Sequence, residues 1–308
     1  WSQAAQVGLT DIFELEDSLV RHIVEALALP LTAREHRQLA QDVPESPQAY
    51  ELYLRANQLA LDSGTWTVAR DLYLKCLETA PRYAPAWARL GRAYRLLAKY
   101  APTRSAETED RASQAFARAL EINPDLALAH ALCAQFEVES ARPLDAMLRL
   151  LGRLKAAGPQ VEVYAGLVHA CRYCGLLEAS LSAHDNACRL DPQARTSVNF
   201  TLLAMGEYER SIAVDPPGEI FGTRNYALAT LGRGEEVLEM CRRNEPTAQG
   251  AARALLRAQR GTVEGDRDSI LEAMDVLLAE SMRDPEGIYL GVRSLARLGL
   301  VDEALRHF

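Results

Sequence analysis

The chain has 308 residues, a formal net charge of −8 at pH 7 and an isoelectric point near 5.4. This acidic balance argues against a general binder of nucleic acid or of anionic membranes. No apolar run is long enough to span a bilayer and no signal peptide is visible, so no membrane partner is expected.

Residues 1–43 form a segment of their own in the sequence. Thr10 is suited to cap an amphipathic helix that begins at Asp11 and ends before Pro30. This stretch resembles the closing helix of the TolB-like amino-terminal domain, which precedes helical repeats in multidomain bacterial regulators. The other interpretation is a plain helix that covers the exposed face of the first repeat, and the two interpretations are compatible.

From residue 44 onward the sequence predicts consecutive pairs of short helices. In the clearest pair, four residues at i, i+3, i+4 and i+7 share one face of the first helix: Trp87, Leu90, Gly91 and Tyr94. The missing side chain at Gly91 allows a neighbouring helix to approach closely. The second helix carries small residues at the crossing, a phenylalanine, and a proline that ends it: Ala112, Ala119, Phe116 and Pro124.

This spacing, W-x2-L-G-x2-Y followed by A-x3-F and P, resembles the tetratricopeptide repeat (TPR), a unit of 34 residues. The resemblance implies an all-α fold: a right-handed α-α superhelix, or TPR solenoid, of about seven to eight helix-turn-helix repeats over residues 44–308, truncated at its carboxyl end. Two departures stand out. Residues 99–110 contain an insertion of roughly nine residues. The fifth repeat meets Pro216-Pro217 after two turns, which predicts an irregular joint near residues 206–220.

The six cysteines indicate a reducing compartment, and we expect a cytoplasmic protein. Most of them fall at small core positions of the repeats, where a free cysteine is an ordinary packing residue. The pair Cys171 and Cys174, with His169 and His184 nearby, has a spacing that zinc sites use, but a second C-x2-C is absent. We therefore predict no metal, no cofactor and no disulfide. The sequence has no recognisable catalytic motif, so we predict no catalytic residues and no enzymatic activity.

In the TPR family the first helix of each repeat lines a concave groove that binds a partner. Carried over by this register, the predicted partner-binding residues are Gln58, Arg92, Arg95, Gln135, His169, Arg172, Tyr173 and Tyr226. Arginine and tyrosine are frequent at binding hot spots. Three of these residues, Arg92, Arg95 and Arg172, would make a positive patch suited to a carboxylate or an acidic peptide. The alternative is that these arginines are solvated, or paired with glutamates of the same helices.

Some TPR proteins hold a carboxyl-terminal peptide with a lysine and an asparagine of the first repeat. This chain has Leu54 and Gln58 at the matching positions, so binding of that type is not expected.

Two functions from different classes remain open. The first is a non-catalytic interaction scaffold for a protein or peptide partner, as the regulatory or sensory part of a larger bacterial signalling protein. Because the chain begins at Trp1 without a methionine and stops at Phe308 inside a helical pattern, we expect a piece of a longer protein. The second is a small-ligand sensor or an enzyme with a pocket at the insertion or at the irregular joint. The absence of a catalytic motif favours the first.

Overall fold

A computed structural model describes residues 42–44, 46–100, 106–215, 223–246, 248, 250–279 and 285–307. The sixteen α-helices of these residues are α1 (Pro47–Leu59), α2 (Trp66–Thr79), α3 (Ala84–Tyr100), α4 (Ala106–Ile122), α5 (Ala127–Glu139), α6 (Pro143–Ala157), α7 (Val161–Tyr173), α8 (Leu177–Leu190), α9 (Val198–Ala204), α10 (Tyr208–Val214), α11 (Arg224–Thr230), α12 (Gly234–Asn244), α13 (Gly250–Glu264), α14 (Arg267–Ala279), α15 (Pro285–Arg297) and α16 (Val301–His307). They form eight successive helix pairs, and the described residues contain no strand. The all-α helix-turn-helix architecture expected from the TPR resemblance is confirmed.

The chain divides into two compact units. The first unit consists of residues 1–95 and 108–133, and the second of residues 96–107 and 134–308. These units divide the chain by packing, and the domain boundary at residue 43 stays a prediction.

The core of the first unit is built from the packing positions that the TPR pattern predicts. Tyr53 of α1 lies against Tyr73 and Tyr83, with ring centroids 6.2 and 5.0 Å away. On α3, Leu90 is buried and Gly91 faces the ring of Phe116 on α4, where a Cβ atom would lie 2.7 Å from Cε1. The close helix crossing expected at Gly91 is therefore present.

The second unit holds two apolar clusters toward its carboxyl end. One joins the fifth, sixth and seventh helix pairs and contains Leu203, Ile212, Ala227, Leu228, Ala229, Val237, Cys241 and Leu256. The other joins the seventh and eighth pairs and contains Ala254, Leu255, Ala258, Ile270, Ala273, Met274, Leu277, Val292, Leu295 and Ala304. The fifth to eighth pairs thus bury their apolar residues against neighbouring pairs along the chain.

The turns inside the last six pairs share a left-handed residue, which closes the end of the first helix. These residues have φ between 60° and 81°: Ala141, Gly175, Gly206, Gly232, Gly265 and Gly299. The spacing is 34 residues from Ala141 to Gly175, but only 26 from Gly206 to Gly232. Helices α9, α10 and α11 have seven residues each. The predicted irregular joint is confirmed, and the shortening begins earlier, at α9.

Several predicted features lie outside the described residues. These are the amino-terminal helix from Asp11, residues 101–105 of the insertion, and Pro216-Pro217 at the joint. On either side of residues 101–105, α3 and α4 each have 17 residues, whereas α1, α5 and α7 have 13. The described part of the insertion is therefore helical. In the portion of the chain that the structure describes, no helix combines the length and apolarity needed to cross a membrane.

Candidate functional site

All eight predicted partner-binding residues lie on the first helix of their pair. In the first unit these are Gln58 on α1 with Arg92 and Arg95 on α3. In the second unit they are Gln135 on α5, His169, Arg172 and Tyr173 on α7, and Tyr226 on α11. Gln58 is exposed, and Arg95 is only 9% exposed. Their partner-binding role stays a prediction.

A group of three arginines, which we call the α3 arginine cluster, lies along α3: Arg89, Arg92 and Arg95. Arg92 is half-buried, and its Nη1 donates to the carbonyl oxygen of Ala60 at 3.5 Å. Ala60 caps the carboxyl end of α1, where the helix dipole favours a cation. Nε of Arg89 is buried and has no hydrogen-bond partner within the described residues.

The α3 arginine cluster is electrostatically strained. Burial, together with the like charges of Arg95 and Arg89, lowers the pKa of Arg92 to about 10. Within the described part of the chain, no carboxylate forms an ion pair with Arg89 or Arg92. A buried cation without a counter-charge is costly. A carboxylate of a partner would therefore stabilise the cluster, because an arginine guanidinium donates two parallel hydrogen bonds to a carboxylate.

Arg172 lies in a different setting from Arg92. Its side chain is 7% exposed, and its Nη2 and Nε donate to Oε1 of Glu286 on α15 at 2.6 and 3.0 Å. Its Nη1 donates to the carbonyl oxygen and hydroxyl of Ser197 and to the hydroxyl of Thr201, at 2.9 to 3.2 Å. Its Nη2 also donates to Nδ1 of His169 at 2.9 Å, so this nitrogen carries no proton.

In this structure the guanidinium of Arg172 meets groups of its own chain, and its role in binding a partner stays a prediction. Its guanidinium is already paired with a carboxylate of its own chain, which lies 114 residues further along the sequence. The predicted patch of Arg92, Arg95 and Arg172 stays a prediction, and Arg172 differs from Arg92 in having a carboxylate partner. Arg92 keeps unsatisfied charge, and Arg172 does not.

Tyr226 also has an internal partner on α15. Arg293 lies over the Tyr226 ring at 4.9 Å and over the Tyr289 ring at 5.4 Å, and it donates to the hydroxyl of Tyr208 at 3.3 Å. Arg297 donates to the carbonyl oxygen of Ala229 on α11 at 2.8 Å. Three predicted site residues (His169, Arg172 and Tyr226) thus belong to networks that α15 completes.

A pocket of about 200 Å³ lies beside these networks, between α7, α9 and α15. Its walls are apolar or aromatic, and its charged groups are those of the Arg172–Glu286 pair: Arg172, Tyr173, Phe200, Leu203, Ala204, Glu286 and Tyr289. The guanidinium of Arg172 lies 5.8 and 5.5 Å from the ring centroids of Tyr173 and Phe200.

The thiols of five cysteines have a raised pKa and are not activated: Cys76, Cys171, Cys174, Cys188 and Cys241. Burial raises the pKa of Cys76 and of Cys241 to about 11. Cys188 lies 3.6 Å from Nε2 of His184, but burial, with the charges of Asp185 and Asp191, raises the pKa of its thiol as well. A reactive cysteine needs a lowered pKa. Within the described residues no three ligating side chains gather closely enough to hold a metal ion. That the protein binds no metal and forms no disulfide stays a prediction.

Sequence reasoning missed four residues of these sites: Arg89, Glu286, Arg293 and Arg297. Arg89 precedes Arg92 by three positions, so the helical spacing of the arginines could have revealed it. The three residues of α15 left no such signal, because their partners lie in other repeats.

No protein-family model matches this chain. A curated relative, "Putative adenylate cyclase 3" of Rhizobium meliloti (strain 1021), is 35% identical over 92 residues, which are 29% of this chain and 16% of that protein. The chain thus spans less than a fifth of the length of that relative.

Two solved structures are similar to this chain over most of its length. PilW, a widely conserved type IV pilus biogenesis factor, is 15% identical and covers 79% of this chain and 97% of its own, with a TM-score of 0.40. PilF of Pseudomonas aeruginosa is 16% identical and covers 80% and 97%, with a TM-score of 0.38. These scores are too low to carry an argument, so the fold assignment rests on the eight helix pairs.

Proposed function

We propose that this chain is a non-catalytic protein-interaction scaffold that binds an acidic segment of a partner protein at the α3 arginine cluster. The observation that carries the proposal is the half-buried Arg92, whose guanidinium has a lowered pKa and no carboxylate partner in the described residues. A fold rarely keeps an unpaired buried cation for stability, because removing its charge would favour the folded state. Such a residue is a candidate for binding.

The proposed setting is the regulatory part of a larger bacterial signalling protein in the cytoplasm. The 92-residue match to a putative adenylate cyclase supports a signalling context. The TolB-like resemblance of the amino-terminal segment supports the same context and lies outside the described residues. The pocket between α7, α9 and α15 gives little support to the alternative of a small-ligand site, because its volume of about 200 Å³ is below the roughly 300–1,000 Å³ of typical ligand sites.

The test measures binding of a labelled synthetic peptide of glutamates spaced by alanines, using fluorescence anisotropy. Changing Arg89 and Arg92 together to methionine should weaken binding at least tenfold, because two charge-assisted forks are lost. Changing the exposed Arg82 to methionine removes one charge outside the cluster and should leave the dissociation constant within twofold. The matching glutamine peptide should not bind.

Thermal unfolding of the same variants separates binding from folding. Arg92→Met should unfold at the temperature of the parent or above it. Its free energy of unfolding should rise by on the order of 1 kcal/mol, because the variant has no desolvated charge at this position. An unchanged dissociation constant in the double variant, or an equal loss in Arg82→Met, would show that the cluster is not the site.

A further inference from the structure

Helix α15 has two faces that contact different parts of the second unit. One face packs Val292 and Leu295 into the apolar cluster that α13 and α14 also form. The other face is directed at α7, α10 and α11 through Glu286, Arg293 and Arg297. The first face joins α15 to its neighbour in the array. The second joins it to pairs four, five and six.

The second face resembles a bound ligand more than a core contact. Its polar contacts are made by individual side chains, and Leu290 of α15 packs against the edge of the apolar cluster of the fifth to seventh pairs. A solvent-open pocket of about 200 Å³ lies between α15, α7 and α9. Polar contacts around an incompletely filled pocket are typical of separable interfaces.

The receptor side of this interface is organised without α15. Arg172 is oriented by His169 of its own helix and by Ser197 and Thr201. Tyr173 and Phe200 flank its guanidinium. A fork held in place by its own neighbours binds a carboxylate at a low entropic cost.

We infer that the surface formed by α7 and α9 around Arg172 is a second partner-binding site, and that Glu286 of α15 occupies it in place of a partner's carboxylate. This inference concerns the second unit and does not depend on the α3 arginine cluster. The site takes an amphipathic helix from another protein. In α15, Glu286 pairs with the guanidinium of Arg172. Tyr289, three positions further on, lines the pocket, and Leu290, four positions further on, packs against the apolar cluster of the fifth to seventh pairs.

The partner helix therefore carries an acidic residue in its first turn with large apolar residues at i+3 and i+4. An acidic residue in the first turn also stabilises the partner helix, because the helix dipole favours a carboxylate at the amino end. A partner of this chemistry competes with α15 for the same fork.

The test uses the full chain and a labelled peptide with the sequence of residues 285–299 as the probe. Glu286→Gln in the chain should raise the affinity for the peptide at least tenfold, because its own α15 no longer offers a carboxylate. Glu286→Gln combined with Arg172→Met should lose this gain. A peptide with glutamine at its acidic position should gain nothing. Glu303→Gln removes a surface ion pair with Arg306 on α16 and serves as the control.

Peptide affinity that is equal for the parent and Glu286→Gln overturns the inference, as does binding that persists without Arg172. Circular dichroism of each variant identifies loss of folding. If Glu286→Gln unfolds, Arg293→Ala, which weakens the same face and leaves the buried ion pair intact, must raise peptide affinity instead, or the inference fails. Concentration-dependent self-association of Glu286→Gln in light scattering would make a second copy the occupant and would also overturn it.

Discussion

At the scale of single residues, the crossing of α3 and α4 depends on an absent side chain. A Cβ atom at position 91 would lie 2.7 to 3.0 Å from three carbons of the Phe116 ring, which is 1% exposed. The ring cannot move aside without disturbing its own packing, because cores are dense. Gly152 on α6 provides a contrast, since a Cβ atom there meets nothing within 4 Å.

We expect opposite effects from the same chemical change at these two glycines. Gly91→Ala should destabilise the protein by about 1–3 kcal/mol through overpacking, and Gly91→Leu by more. Gly152→Ala should stabilise it by about 0.5–1 kcal/mol, because alanine is the better helix former. Urea unfolding followed by circular dichroism measures both. A Gly91→Ala variant as stable as the parent would contradict the helix register.

At the scale of elements, the turns between paired helices use one backbone conformation six times. Five of the six left-handed residues are glycine, and the third pair has Ala141 at φ 60°. The left-handed conformation is unfavourable for alanine by roughly 1–2 kcal/mol, because its Cβ atom lies too close to the following carbonyl oxygen. Ala141 is exposed, so its side chain makes no compensating core contact.

Exchanging the residue types at two of these turns isolates the backbone effect. Ala141→Gly should stabilise the protein by about 1 kcal/mol, and Gly175→Ala should destabilise it by a similar amount. Beyond Gly175 and its two chain neighbours, no atom lies within 4 Å of a Cβ atom built at this position, so a clash with the surrounding structure does not contribute. The midpoint of thermal unfolding reports both changes. Shifts of the same sign would show that the turns do not control stability in this way.

At the scale of the whole molecule, the Arg172–Glu286 pair joins helices from the fourth and eighth pairs. Both side chains are largely buried, with 7% and 18% exposed. Removing one partner leaves the other as an uncompensated buried charge, whereas removing both leaves no such charge.

A double-mutant cycle tests this contact. Arg172→Met and Glu286→Leu should each destabilise the protein by about 3–5 kcal/mol, and the double variant should lose clearly less than the sum. Equilibrium urea unfolding of the four proteins gives the coupling free energy. Additive losses would mean that the two residues do not stabilise the fold as a pair. The surface pair of Arg306 and Glu303 serves as the control and should show a coupling free energy below about 1 kcal/mol.

The sequence by itself determined the helix pairs of this protein, their packing residues and the position of the joint. These features depend on contacts between residues close in the chain, such as Gly91 with Phe116, and such contacts repeat with a period that a single sequence displays. It also placed the predicted binding residues on the first helices, because the face of a helix follows from its periodicity.

Only the tertiary structure decided which of those residues have charge to offer a partner. From the sequence alone, Arg92 and Arg172 are both candidate groove residues on the first helices of their repeats. In the fold, Arg92 meets a carbonyl oxygen at 3.5 Å, whereas Arg172 meets a glutamate 114 residues away. The shortened helices from α9 to α11 lie between Arg172 and α15 in the chain, and no local pattern encodes which distant carboxylate a folded array brings to an arginine. The physical reason is that ion pairing depends on separation in space, whereas periodicity reports only separation along the chain.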